Sequence, residues 1–111
     1  MKDSLKLALP VVGEMQKMVI FSRFCRTLSL LLSSGIAMIP TLQILERLMD
    51  NVVIKKAVSA ASLGVERGQG ISAPLTEHKV FPKMLVQMVA VGEETGNLET
   101  VLVQLADYYD R

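Results

Sequence analysis

Apolar residues recur along this chain at helical rather than strand spacing. From about Glu14 to Ser34, Met18, Phe21, Cys25, Leu28 and Leu32 follow one another at intervals of 3, 4, 3 and 4. That is the stripe by which a bundle helix packs, and Phe24 and Leu31 widen it. Gly35 supplies the left-handed residue that ends such a helix. A second, shorter helix begins near Pro40, whose fixed φ suits a first helical turn. It buries Thr41 or Leu42, Leu45, Leu48 and Met49, and Asp50 and Asn51 close it. A third, about Val52 to Arg67, gathers Ile54, Ala57, Val58, Ala61 and Val65 on one face, with Ala60 and Gly64 small enough to permit close helix approach. Gly68, Gln69 and Gly70 form a turn, and Ser72 can cap a helix of one or two turns that holds Pro74 in its first turn. The fifth helix opens at Pro82, uses Leu85, Met88, Val89 and Gly92, and ends at Gly96. Asn97 then caps the last, whose stripe is Leu98, Leu102, Leu105 and Tyr109, with Glu99 in its first turn. No segment alternates apolar and polar residues long enough to be a strand, and the connections are short. The pattern predicts an all-α, antiparallel six-helix bundle with one short helix over residues 14–111, after an extended basic lead over residues 1–13.

Composition narrows the class. The 111 residues are half hydrophobic and only 5% aromatic, which supports one core, excludes disorder and disfavours a β-sandwich. The six Met at 15, 18, 38, 49, 84 and 88 read as core filler. Thr27 to Leu45 runs 19 residues without a charge, close to the ~20 that span a bilayer. Eight of the 19 are Ser, Thr, Gly, Pro or Gln, and the Ser-Ser-Gly turn with Pro40 divides the stretch, so two amphipathic helices are expected. The residues before Pro10 show no apolar core of a secretory signal. A net charge of +1 removes the phosphate attraction from which nucleic-acid binders begin. The distribution is uneven: residues 1–26 hold five basic against two acidic side chains, as do residues 55–83, whereas residues 84–110 hold five acidic and no basic ones. An acidic surface suited to a basic partner follows.

Chemistry is sparse. Cys25 is the lone cysteine and His78 the lone histidine, so neither a disulfide nor a transition-metal site is expected, and the thiol fits a reducing compartment. No nucleophile elbow or phosphate-binding loop is present. Glu93 and Glu94 are adjacent on a helix and point about 100° apart, which rules out a shared catalytic dyad. One of them is expected to face inward, paired with Arg23 or Arg26 or with backbone amides of the last helix. Partner binding is expected instead on exposed charge: Glu94, Glu99, Asp107 and Asp110 on one side, and Lys55, Lys56 and Arg67 on another that could meet a second copy, as a homodimer, or another subunit.

The segment VGEETGNL, Val91 to Leu98, resembles the Gly-Glu-x-(Ser/Thr)-Gly-x-Leu signature of the cytoplasmic domains of the type II secretion protein F and type IV pilus assembly protein C family. Gly92, Glu93, Thr95, Gly96 and Leu98 stand at the signature positions, and the resemblance, which fixes the place of Glu93 beside Gly92 while its neighbour varies, implies that Glu93 rather than Glu94 is the inward carboxylate. FSRFCRTLSLLLSSGIAMIPTLQIL is similar to the family's opening helix pair, with Gly35 in its turn. ERGQGIS resembles the Gly-x-x-(Ile/Leu)-Ser turn, with Gly70 and Ser72, and VFPKMLVQMVAVGEETGNL resembles the Phe-Pro and Gly-Glu helix, with Pro82. The closing LADYYDR also matches, and the resemblance covers about residues 10–111.

It implies one of two related six-helix cytoplasmic domains of a polytopic inner-membrane platform protein. The lead LALPVVGEMQKM is similar to the segment entering the second copy, and Lys2, Lys6 and Lys17 agree with the cytoplasmic excess of basic residues near membrane ends. The implied function is non-enzymatic and without cofactor: mechanical coupling of an assembly ATPase to pilin or pseudopilin subunits, with membrane contact only through segments outside this chain. The rival reading is a free-standing helical adaptor that binds an amphipathic helix.

Overall fold

The computed structural model describes the backbone of residues 10–110 and side chains from residue 16 onward. The described residues form six helices: α1 (Pro10–Ser33), α2 (Met38–Leu48), α3 (Val52–Glu66), α4 (Ser72–Glu77), α5 (Lys83–Thr95) and α6 (Leu98–Asp110). The order and the short fourth helix are those expected. The first helix, however, starts at Pro10, so residues 10–13 are helical rather than extended. Pro10 at a first helical position loses no intrahelical hydrogen bond, because its missing N–H would have been unpaired there. Residues 1–9 of the expected lead lie outside the described residues.

With 24 residues at ~1.5 Å each, α1 runs the full 36 Å of the longest dimension. Its most extensive partner is α6; α2 packs on α3, α5 on α6, and α4 bridges α3 and α5. No described helix is long and apolar enough to cross a membrane. The uncharged Thr27–Leu45 stretch is divided at Gly35, whose φ of +89° ends α1 and whose N–H bonds Leu32 O at 3.0 Å.

Phe21, Phe24, Cys25 and Leu28 of α1 are buried with Leu42, Leu45, Ile54, Ala57, Val58, Ala61, Leu85, Val89, Leu102 and Leu105. The ends of the expected α1 stripe are not: Met18 is 42% exposed and Leu32 only half-buried. A 3.5-residue repeat on a straight 3.6-residue helix drifts ~20° per heptad, which rotates both ends off the core. On α2, Leu48 is also exposed where burial was expected, because Met49, one residue on, takes the core position as the chain turns. Of the methionines expected as filler, Met49 is buried, while Met38, Met84 and Met88 sit half-buried at the rim. Phe81 fastens the far end: its ring lies 5.0 Å from Phe24 and 6.1 Å from Phe21, and Phe21 lies 5.4 Å from Tyr109. Pro82 then serves as the extended residue before α5.

Asn51 does not close α2. It opens α3, with Oδ1 accepting from Val53 N at 2.8 Å and Ile54 N at 3.1 Å. An asparagine between two helices can terminate one or cap the next, and here the free N–H groups of the second claim it.

Candidate functional site

The signature residues meet at the junction of α5, α6 and the α3–α4 turn. Gly96, with φ +75°, ends α5 in the left-handed conformation, and Asn97 N bonds Gly92 O at 2.9 Å as the chain reverses. Gly92 is buried; a Cβ there would come within 3.0 Å of the Leu98 backbone and 3.2 Å of Val101 Cγ2. The signature glycine thus leaves room for the start of α6 to pack directly against α5. Gly64 plays the same part on α3, where a Cβ would run into the Pro74 ring and lie 3.2 Å from Gly70 O. Thr95 Oγ1 turns back to Val91 O at 2.9 Å.

Next to Gly92, Glu93 turns inward and Glu94 outward, as expected. Its partner is different from the one expected. Glu93 Oε2 accepts from Ile71 N at 2.7 Å and Oε1 from Ser72 N at 3.2 Å. Neither Arg23 nor Arg26 reaches it, and the amides are those opening α4 rather than α6. Residue 71 precedes α4 without any side-chain cap of its own. The hydroxyl of Ser72 does not cap that helix; Ser72 instead accepts from Thr76 Oγ1 through its carbonyl at 2.9 Å. A carboxylate from a distant helix does the work of a capping side chain, satisfying N–H groups that would otherwise be unpaired. Gly70 makes room for it, since at φ +77° a Cβ would lie 2.7 Å from Glu93 Oε2.

The arginines act elsewhere. Arg26 Nη2 lies 3.0 Å from Asp107 Oδ1 and 2.6 Å from Asp110 Oδ2, and Ser22 Oγ donates to Asp110 Oδ1. These contacts clamp α1 to the end of α6. The Ser22 hydrogen bond first, and Arg26 second, hold the Asp110 carboxyl below its ordinary range; hydrogen bonds to Asp107 and Asp110 raise the Arg26 guanidinium. Asp107 and Asp110, both candidates for partner contact, are therefore occupied within the domain. Spacing alone held a signal: Ser22 and Arg26 are four apart and Asp107 and Asp110 three apart, each pair on one helix face. Arg23 is exposed with no ion pair among the described residues.

Glu94 and Glu99 remain exposed and outside any described ion pair. Glu99 lines a cleft of about 560 Å³ with Glu93, Leu32, Met38 and the α5–α6 turn, whereas Glu94 is not among its walls. The basic candidates also separate. Lys56 and Arg67 are exposed and Lys55 half-buried, but Arg67 lies some three helical turns from the lysines, roughly 16 Å along α3.

Groups that could do covalent chemistry are withdrawn. Cys25 is buried, which pushes its thiol up to about 12 and leaves no thiolate at neutral pH. His78 Nδ1 sits 3.1 Å from Pro74 O at the end of α4. Among the described residues no three His, Cys, Asp or Glu side chains converge as metal ligands would.

The described interior polar groups therefore hold helices together, and what faces outward is charge and scattered apolar surface. The profile of the family described as type II secretion system (T2SS), protein F matches residues 24–111, and the chain belongs to that family. It is 44% identical over 110 residues to the type IV pilus assembly protein PilC of Thermus thermophilus, covering 98% of this chain and 27% of that protein. It is 35% identical over 108 residues to the type II secretion system protein F of Vibrio cholerae, covering 97% of this chain and 27% of that protein. With PilC of Pseudomonas aeruginosa the identity is 33% over 108 residues, 97% of this chain and 29% of the relative. The chain thus spans little more than a quarter of these relatives.

Proposed function

We propose that this domain is a cytoplasmic, non-enzymatic part of an inner-membrane platform protein and that it couples an assembly ATPase to pilin or pseudopilin assembly. The family match over residues 24–111 carries the reading, with relatives named for both type IV pilus assembly and type II secretion. The rigid α5–α6–α4 junction supports it, because movement imposed at one surface passes to the others only if the helices between are fastened. The exposed carboxylates Glu94 and Glu99 are the contacts offered to a basic partner surface, and Lys55, Lys56 and Arg67 those offered to an acidic one or to a second copy. Residues 14–111 form the functional unit, the second of two such copies in the full protein.

The test is charge reversal in the full-length protein. Glu94→Lys with Glu99→Lys should leave folding nearly intact, since exposed substitutions usually shift stability by about 0.5 kcal/mol or less. Pilus assembly or secretion should fall at unchanged protein level, and association with the ATPase should weaken and lose its salt dependence. Wild-type assembly and wild-type affinity for the ATPase and the membrane subunits would remove these carboxylates from the coupling surface.

A further inference from the structure

The outer face of α5 and α6 carries an open groove that the coupling role leaves unexplained. Gln87, Met88 and Val91 of α5 and Val101 and Gln104 of α6 line a cavity of about 320 Å³. Val91 at its centre is 56% exposed, and Met88 and Val101 are half-buried. One turn beyond Gln104, Tyr108 presents an exposed ring. A charge stands on α5 beyond each end of this lining. Lys83 lies one turn before Gln87 and Glu94 almost one turn after Val91, and both are exposed and outside any described ion pair. On a helix these positions, 83, 87, 91 and 94, share one face, so the groove runs from a cation through an apolar middle to an anion. Eleven residues separate the ends, roughly 16 Å of helix.

From this arrangement we infer that the α5–α6 groove is a docking site for an amphipathic helix of about three turns. That helix carries apolar side chains at i, i+3 or i+4 and i+7, a Lys or Arg over Glu94 and an Asp or Glu over Lys83. The inference rests on the reading of the domain as a docking platform and gives that platform one defined surface. Two observations select a helix. Every described element is helical, so no strand edge is offered for an added strand, and the valley between two antiparallel helices is the shape a third helix fills. Charge complementarity selects its ends. Glu94 takes part in no ion pair among the described residues, and no basic side chain stands on its own helix after Lys83, so a cation from a partner can pair with it. The opposite face of α6 lacks this continuity: exposed Val103 there neighbours the Arg26–Asp107 pair, which interrupts the apolar run.

The test uses the whole chain and a synthetic, end-blocked 14-residue peptide with three leucines on that spacing, arginine at one end and glutamate at the other. Fluorescence anisotropy should show saturable binding that weakens with added salt. Val91→Glu should weaken it by about tenfold or more. Glu94→Lys should weaken it severalfold and flatten its salt dependence, and Val103→Glu, on the other face of α6, should leave it unchanged. A control peptide with serines in place of the leucines should not bind. Equal effects of Val91→Glu and Val103→Glu, or no saturable binding, would overturn the proposal. So would concentration-dependent self-association of the chain that Val91→Glu abolishes, since a second copy would then be the occupant. These readouts concern the groove alone, so their failure leaves the complementation result for the platform reading standing.

Discussion

Two carboxylate contacts tie distant parts of this domain together, and they are built in opposite ways. Glu93 binds two backbone N–H groups 21 and 22 residues away, in a half-buried turn that glycine shapes to receive it. Asp107 and Asp110 bind the side chains of Arg26 and Ser22 across more than 80 residues, with 43% of the Arg26 side chain and 59% and 54% of the two aspartate side chains exposed. Water and salt compete for the second contact and pay part of what its loss would cost. They compete less for the first, where the carboxylate is half-buried and its donors are backbone N–H groups of fixed direction.

Removing the latch is the severest test of this contrast. Glu93→Ala should lower the unfolding free energy in urea by about 1–3 kcal/mol, because the Ile71 and Ser72 N–H groups lose their charged acceptor. Gly70→Ala attacks the same contact from the other side, through strain at positive φ and collision with the carboxylate, and should cost about 1–2 kcal/mol. Two changes to one contact should cost less together than their sum; strict additivity would show that Gly70 does not serve the latch.

The clamp should respond weakly and with the signature of exposed charge. Arg26→Ala should move the thermal midpoint less than Glu93→Ala does, and the difference from wild type should shrink toward zero in molar salt. Acid provides the second reading. The folded Asp110 carboxyl lies below its ordinary value of 3.8, so the clamp's contribution is present above that pH and is lost as the pH falls through the folded value. The stability gap between wild type and Asp110→Asn should therefore be flat near neutrality and close in acid.

The smallest effect concerns Tyr109, next to the clamp. Its hydroxyl is buried without a hydrogen-bond partner among the described residues, so Tyr109→Phe should be neutral or stabilise by up to about 1 kcal/mol at pH 7. Burial raises Tyr109 from 10.0 to about 12 and Cys25 from 9.0 to about 12. The unfolded chain thus releases these protons first, and stability should decline as the pH rises from 9 toward 12. Tyr109→Phe should flatten that decline above pH 10, which calorimetry or urea titration in alkaline buffer would measure.

The primary sequence by itself determined six helices, their order, the short fourth member, and the turns at Gly35 and Gly96, since periodicity, proline and glycine act through each residue's own φ and its near neighbours. It also carried the family resemblance and the inward turn of Glu93. Tertiary structure decided whom each polar group meets. Glu93 meets the amides of α4, Arg26 meets Asp107 and Asp110, and Asn51 opens α3 instead of closing α2. It also decided that Met18 and Leu48 lie exposed, although both fit a local stripe. In each case the local pattern offers two or more acceptable partners within a turn of each other. The choice falls to the angle and distance at which whole helices pack, set by small residues such as Gly64 and Gly92 whose effect is felt only once another helix arrives.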